Sequence, residues 1–376
     1  MPLIYLIAGE ESGDVLGSRL MRALRSKRSD MTFAGIGGSA MAEQGLVSLF
    51  PIRVLAVMGL FEILPKIFEL RARLKQTVAD VKARAPDVLV TIDSPGFTLR
   101  VLGALRSARI RRAHYVAPQV WAWRENRVKH FPGLWEELLC LLPFEPAFFA
   151  RHGLAARFVG HPVLESGADA GNGPRFRKQY GIDTDARVVT IMPGSRHTEV
   201  SRLLPILEAT MQRLPDRVIP VVPLAGPVAE RVRQQTSAWS TPPILVSDAA
   251  AKYDAFAASD AALTKSGTSA LELALANVPM LVTYRVHPIT NQFTQRMIKV
   301  KYVSLPNLLL DRPLIPELLQ DECNPDSLAA GLHRLLTDPL AVAAQQRGFS
   351  EAMDMLQPPS GSPSECAAEV VLSMLR

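Results

Sequence analysis

Short apolar runs recur along the chain, each followed by a stretch in which apolar residues return every three or four positions. Leu3–Ala8 is the first such run and closes on Gly9; Leu16, Leu20, Ala23 and Leu24 then fall on one helical face. Thr32–Ala34 runs into a glycine turn at Gly35–Gly38. Leu60, Ile63, Leu64, Ile67, Leu74, Val78 and Val81 mark a long amphipathic helix with Arg71, Arg73 and Lys75 near its middle. Pro86 closes it, and Val88–Ile92 reads as a buried strand ending at Asp93. His114–Val116 and Leu138–Leu142 read as two more strands. Strands that alternate with helices in this way predict a parallel, doubly wound sheet.

From Glu165 to Pro174 the composition shifts to Gly, Ala, Asp and Asn, which reads as a linker. The rhythm then restarts with Val188–Met192, a loop at Pro193–Arg196 and a helical pattern through Leu203, Leu204, Leu207 and Met211. Further strands are predicted at Val218–Val222, Ile244–Val246, Ala261–Leu263 and Met280–Thr283. Pro358–Pro363 precedes a last helix, Glu365–Leu375. The expected domains are therefore 1–166, 174–350 and a tail helix in 351–376. No repeat of fixed period appears. The expected fold is α/β of the GT-B type: two Rossmann-like, doubly wound domains facing a cleft, with ligand outside the carboxyl ends of the strands.

Composition narrows the setting. With 376 residues, 48% of them hydrophobic and 21% charged, the chain can bury two ordinary cores and is not of the disordered class. No apolar run approaches the roughly 18 residues that span a bilayer. The apolar start lacks a basic lead and a small-residue cleavage site, so it reads as a first strand and not as a signal peptide. Cys140, Cys323 and Cys366 are scattered and odd in number, which indicates neither a disulfide framework nor a zinc site and points to the cytosol. A net charge of +6 suggests an anionic partner: nucleic acid, a phosphorylated substrate or a membrane surface.

Several segments are suited to chemistry. Ala8–Asp14 (A-G-E-E-S-G-D) joins the first strand to the first helix, where Ser12 or Asp14 can either cap the helix or meet a ligand hydroxyl. Gly35–Ala40 fits G-x-G-x-x-A, but it follows the second strand and lacks the acidic residue expected about 20 positions on, so a tight turn is the better reading. Asp93 ends a buried strand just before Ser94-Pro95, as a general base or as a turn aspartate. Trp121, Trp123 and Arg124 beside a strand end suit a sugar, an acyl chain or a phosphate, or else form a core edge. Arg111, Arg112, Arg124, Arg127 and Lys129 cluster nearby, yet no nucleic-acid motif accompanies them. Pro193–Arg196 (P-G-S-R) and Ser266–Glu272 (S-G-T-S-A-L-E) both follow strands and open helices, an arrangement suited to a nucleotide diphosphate. Lys265-Ser-Gly-Thr has the wrong order for a P-loop, Asp183-Thr-Asp185 sits in a polar turn, and the seven histidines lack metal-ligand spacing; His161, beside Pro162, reads as structural.

Taken in order, these segments resemble the lipid-A-disaccharide synthase family. The resemblance is carried by A-G-E-E-S-G-D at 8–14, V-M-G at 57–59, I-D-S-P at 92–95, H-Y-V-A-P-Q-V-W-A-W-R at 114–124 and L-P-F-E at 142–145. It continues in V-G-H-P at 159–162, P-G-S-R at 193–196, S-G-T-S-A-L-E at 266–272, V-S-L-P-N-L-L at 303–309 and P-E-L-L-Q at 316–320. It implies an inverting, metal-independent glycosyltransferase without cofactor. That enzyme moves 2,3-diacylglucosamine from UDP-2,3-diacylglucosamine to 2,3-diacylglucosamine 1-phosphate, forming the β-1′,6 disaccharide of lipid A and UDP. The implied roles are Asp93 as base; Gly194, Ser195, Arg196, Ser266, Gly267, Thr268, Glu272 and Asn307 on the UDP-sugar; and Glu10, Ser12, Gly13, Asp14, Trp121 and Arg124 on the acceptor. The acceptor residues fall in 1–166 and the donor residues in 174–350. The implied setting is the cytoplasmic face of the anionic inner membrane of a Gram-negative bacterium, with no nucleic acid; a homodimer stays open. The helix at 60–84 and Trp121/Trp123 are candidates to rest on lipid, the helix being otherwise a core element with a solvated basic face. One departure matters: where the family commonly has D-F-N after I-D-x-P, this chain has Gly96-Phe97-Thr98, which leaves Asp93 as the carboxylate at that turn.

Overall fold

The computed structural model describes residues 1–55, 60–286 and 300–375, with backbone only for 60–66. The V-M-G segment and the side chains of Leu60, Ile63 and Leu64 therefore lie outside the described residues. The chain forms two compact units, 1–162 with 356–376, and 163–355.

The first unit holds the strands β1 (Leu3–Ala8), β2 (Thr32–Ile36), β3 (Val88–Ile92), β4 (Arg111–Tyr115), β5 (Glu137–Cys140) and β6 (Ala156–Phe158). They form a six-stranded parallel sheet in the order β2-β1-β3-β4-β5-β6. Helices cover both faces, so strand residues are buried on both sides, which is why these strands read as apolar runs. Ile4, Leu6 and Ala8 join Val88, Val90 and Ile92 under α1 (Glu11–Lys27). Tyr5, Ile7 and Leu89 point the other way, into a second core with Val101 and Leu102 of α4 (Pro95–Ala104). The helix read from 60–84 is α3 (Leu60–Arg84), which follows the short α2 (Ser39–Glu43).

The second unit repeats the plan with β7 (Arg187–Met192), β8 (Val218–Pro223), β9 (Ile244–Val246), β10 (Ala261–Lys265), β11 (Met280–Tyr284) and β12 (Glu317–Leu319), ordered β12-β11-β10-β7-β8-β9. Counted within the unit, that is the 3-2-1-4-5-6 order of dinucleotide-binding sheets, with its switch point between β7 and β10. In the first unit the order reverses between β1 and β3.

Two boundaries differ from the sequence expectation. The stretch 165–174 is not a slack linker but part of the second unit. A Cβ on Gly171 would lie 1.9 Å from the Tyr253 carbonyl oxygen, and one on Gly173 2.5 Å from that of Ala257, so both glycines serve close packing. Asn172 N–H donates to Asp254 at 2.7 Å, and Arg175 pairs with the same carboxylate. The closing helix, Pro363–Ser373, is likewise no separate tail. A Ser362–Glu365 capping box starts it. Its Ala367, Ala368 and Val371 share one core with Leu20 and Leu24 of α1, and Lys27 pairs with Glu369 at 2.8 Å.

Candidate functional site

In the first unit, backbone strain collects where the sheet reverses order. Asp93 and Ser94, directly after β3, have φ of 48° and 47°, and Val116, directly after β4, has 77°. Left-handed backbone is uncommon outside glycine and is an outlier for a β-branched residue; such residues cluster at functional sites. The turn is nonetheless firmly held: Asp93 N–H donates to the Tyr115 carbonyl at 2.8 Å, and Thr98 Oγ1 donates to the Asp93 carbonyl at 2.7 Å. Pro95 at the first turn of α4 suits the helix start. The loop after β1 presses against this turn, since a Cβ on Gly9 would lie 2.3 Å from Ser94 Cβ and Oγ. Burial pushes the Asp93 carboxyl above the usual aspartate range, against the smaller pull of the Ser94 amide. Gly96 is exposed, and a Cβ there would meet nothing within 4 Å.

The residues expected around Asp93 divide. Glu10 is the N-cap of α1 and half-buried, and Ser12 is exposed in its first turn. Gly13 is buried against Ala8 and Ile92. Asp14 is a correction: its buried carboxylate accepts the N–H groups of Gly38 at 2.7 Å, Ala40 at 2.9 Å and Met41 at 3.1 Å. It caps α2, with its carboxylate committed to those three amides. Trp121 lies in α5 (Val120–Trp123), its indole N–H donating to Glu145 at 3.0 Å and its ring set edge-on to Phe144. Arg124 stacks over the exposed Trp123, 4.1 Å from the ring centre. Glu145, part of L-P-F-E but given no role by sequence, also accepts the amides of Leu141 and Leu142 at 3.0 Å each. Burial raises its carboxyl to about 7 despite those donors. His114 and His161 are buried, and burial lowers them to about 3 and about 4, so both are neutral at pH 7.

In the second unit a cavity of about 300 Å³ opens at the β7/β10 switch point. It is lined by Met192 at the end of β7 with Pro193–Ser195 beyond it, Lys265 at the end of β10 with Gly267–Ser269 beyond it, Glu272, Pro223 and Ala225. Gly194 has φ 112°, and a Cβ there would lie 2.4 Å from Glu199 Oε2, so only glycine fits. Arg196, the N-cap of α6 (His197–Met211), offers no side-chain acceptor, which leaves first-turn amides to a ligand or water. Glu272, in α7 (Ser269–Leu275), is gripped by Lys252 Nζ at 2.8 Å to each oxygen and by Tyr253 OH at 3.2 Å.

Gly194, Ser195, Gly267, Thr268 and Glu272 thus share one pocket. Arg196 is half exposed and reaches Glu199 at 3.5 Å, and Ser266 Oγ donates to the Val303 carbonyl at 2.6 Å. Asn307 is a second correction. It is wholly buried, exchanging hydrogen bonds with the Ile315 backbone at 2.8 Å and donating to Glu317 at 2.9 Å, so it fixes a loop and is not among the residues lining the β7/β10 pocket. Among the described residues no group of three His, Cys, Asp or Glu side chains is arranged to hold a metal ion.

A family model described as lipid-A-disaccharide synthetase matches residues 4–371. The lipid-A-disaccharide synthase of Gluconobacter oxydans (strain 621H) is 52% identical over 377 residues, covering 99% of this chain and 91% of that protein. The chain belongs to the lipid-A-disaccharide synthetase family. Members of this family are glycosyltransferases of lipid A biosynthesis, and this chain is one of them. Its fold recurs at low identity. UDP-GlcNAc 2-epimerase from Neisseria meningitidis, bound to UDP-GlcNAc, superposes with a TM-score of 0.65 at 12% identity, covering 100% of this chain and 99% of that one. The kitacinnamycin glycosyltransferase gives 0.61 at 16%, covering 100% of both. Those likenesses establish the GT-B fold. Within the family the reading of the motifs sharpens: I-D-S-P is the strained turn, Pro193–Ser195 of P-G-S-R and Gly267–Ser269 with Glu272 of S-G-T-S-A-L-E wall one pocket, and A-G-E-E-S-G-D ends in an aspartate that caps a helix.

Proposed function

We propose that Asp93 and the β7/β10 pocket carry out the family's reaction on this chain, with UDP-2,3-diacylglucosamine as donor and 2,3-diacylglucosamine 1-phosphate as acceptor. Asp93 takes the proton of the acceptor 6-hydroxyl as that oxygen bonds to the anomeric carbon. The bond from that carbon to UDP breaks on the opposite face, the configuration inverts to β, and the electron pair leaves with UDP. Amides of the Gly194 loop and nearby cations meet the charge that develops on the diphosphate, and no metal takes part. Glu272 suits the ribose hydroxyls once Lys252 shares it.

The observation that carries this reading is Asp93 itself. A carboxylate sits on strained backbone at a switch point, pushed toward neutrality by burial, which is the tuning a base needs. Acylated substrates suit a reaction at a membrane surface, which in this reading is the cytoplasmic face of the inner membrane. Phe68 on α3, 78% exposed, and the Trp123–Arg124 pair are groups suited to an anionic lipid surface. Among the described residues no helix is long and apolar enough to cross it. The test is incubation with both acylated sugars and mass analysis: a tetra-acyl disaccharide 1-phosphate supports the reading, and UDP release without it sinks the reading. Turnover of un-acylated UDP-N-acetylglucosamine instead would point to another UDP-sugar chemistry on the same fold.

A further inference from the structure

We infer that Lys265 is the cation that grips the nucleotide's diphosphate, and that Glu199 is the positioning residue that holds it there; this rests on the pocket taking UDP as proposed above. Lys265 ends β10 and lines the pocket with Gly194, Ser195 and Thr268. Its side chain runs beside Gly267, whose Cβ would lie 3.8 Å from Lys265 Cε. Its ammonium sits 3.1 Å from Glu199 Oε1 and is about one-fifth exposed. Glu199 is 6% exposed, its Oε2 has no partner among the described residues, and a Cβ on Gly194, five residues earlier in the loop that leads into its helix, would lie 2.4 Å from that oxygen. A buried carboxylate so placed needs a counter-charge, and Lys265 supplies it.

The other cations are less well placed. Arg196 does not line the pocket, is half exposed and reaches the same carboxylate only at 3.5 Å. Lys252 is taken by both oxygens of Glu272. An ammonium has three donors and Glu199 uses one, so Lys265 can keep its anchor and still meet phosphate oxygens as a point charge. The order K-S-G-T rules out a P-loop but not this use: here the lysine arrives from the strand end and not from a helix start.

The test separates diphosphate from nucleoside. In the native protein, UDP should shield Lys265 from acetylation by acetic anhydride, read by peptide mass spectrometry, and uridine should not. Lys265→Met alone would strand the Glu199 charge, so Lys265→Met/Glu199→Gln is compared with Glu199→Gln. The double variant should bind UDP about 10- to 100-fold more weakly than the single one, with uridine binding by ligand-observed NMR unchanged and Lys265→Arg retaining part of the UDP affinity. Glu199→Gln alone should cut UDP affinity less than the double variant and leave uridine binding intact, an uncoupling that a purely structural defect would not give. Equal UDP affinity in the single and double variants, or equal acetylation with and without UDP, overturns the inference while the proposed function stands. A wild-type protein that binds no UDP overturns both.

Discussion

Replacing Asp93 with Asn tests base and backbone together. Asparagine keeps the side-chain shape and tolerates left-handed backbone well, so φ of 48° should add no strain. Only the proton acceptor is lost. General-base catalysis is worth about 10²–10⁴-fold, so kcat should fall by that factor, or about 2.7–5.5 kcal/mol in barrier. UDP affinity should hold, because Asp93 is not among the residues lining the pocket proposed to take the nucleotide. Stability should move the other way. Burial raises the Asp93 pKa, so the stability its neutral form contributes is present below the ordinary aspartate range and lost as pH rises through the folded value. The Asn variant lacks that loss, and its melting temperature should therefore gain on wild type as pH rises across that window. In wild type, kcat/KM should decline on the acid side at a pH above the usual aspartate value. Near-normal kcat would remove Asp93 as the base, and a melting-temperature difference that does not change in the variant's favour as pH rises would contradict the burial argument.

Other expectations follow from single contacts. Gly194→Ala forces a side chain onto left-handed backbone and into Glu199, so calorimetry should show weakened UDP binding, and melting should drop by roughly 2–8 °C for a cost of about 1–2 kcal/mol. Asp14→Ala leaves three amides without their acceptor and should cost about 2–4 kcal/mol in urea unfolding, whereas an unchanged midpoint would restore Asp14 as a substrate residue. The transfer rate should survive excess EDTA; a loss reversed by magnesium or manganese would overturn the metal-independent mechanism.

Much of the fold was legible because parallel strands buried on both faces read as plain apolar runs, as in Val88–Ile92 and Val188–Met192. The short edge strands β6 and β12 were not, since their three residues are partly exposed and mixed in polarity. Composition misjudged 165–174 because glycine marks both slack chain and close packing, and only the approach of Tyr253 and Ala257 tells them apart. The tail helix was seen, but not that its small residues fit α1. At the sites, positions after strands were legible and directions were not. Asp14 and Asn307 sit in matching motifs yet face inward, whereas Lys265, weighed against a P-loop template, lines the pocket. A charged residue ending a buried strand just before S-G-T-S was the available signal.

The central claim is that this chain joins two acylated glucosamines with inversion. Purified protein given UDP-2,3-diacylglucosamine and 2,3-diacylglucosamine 1-phosphate should yield equal amounts of UDP and a tetra-acyl disaccharide 1-phosphate, with NMR showing a β linkage at the 6-position. Free UDP with unjoined sugar, or an α-linked product, would contradict it.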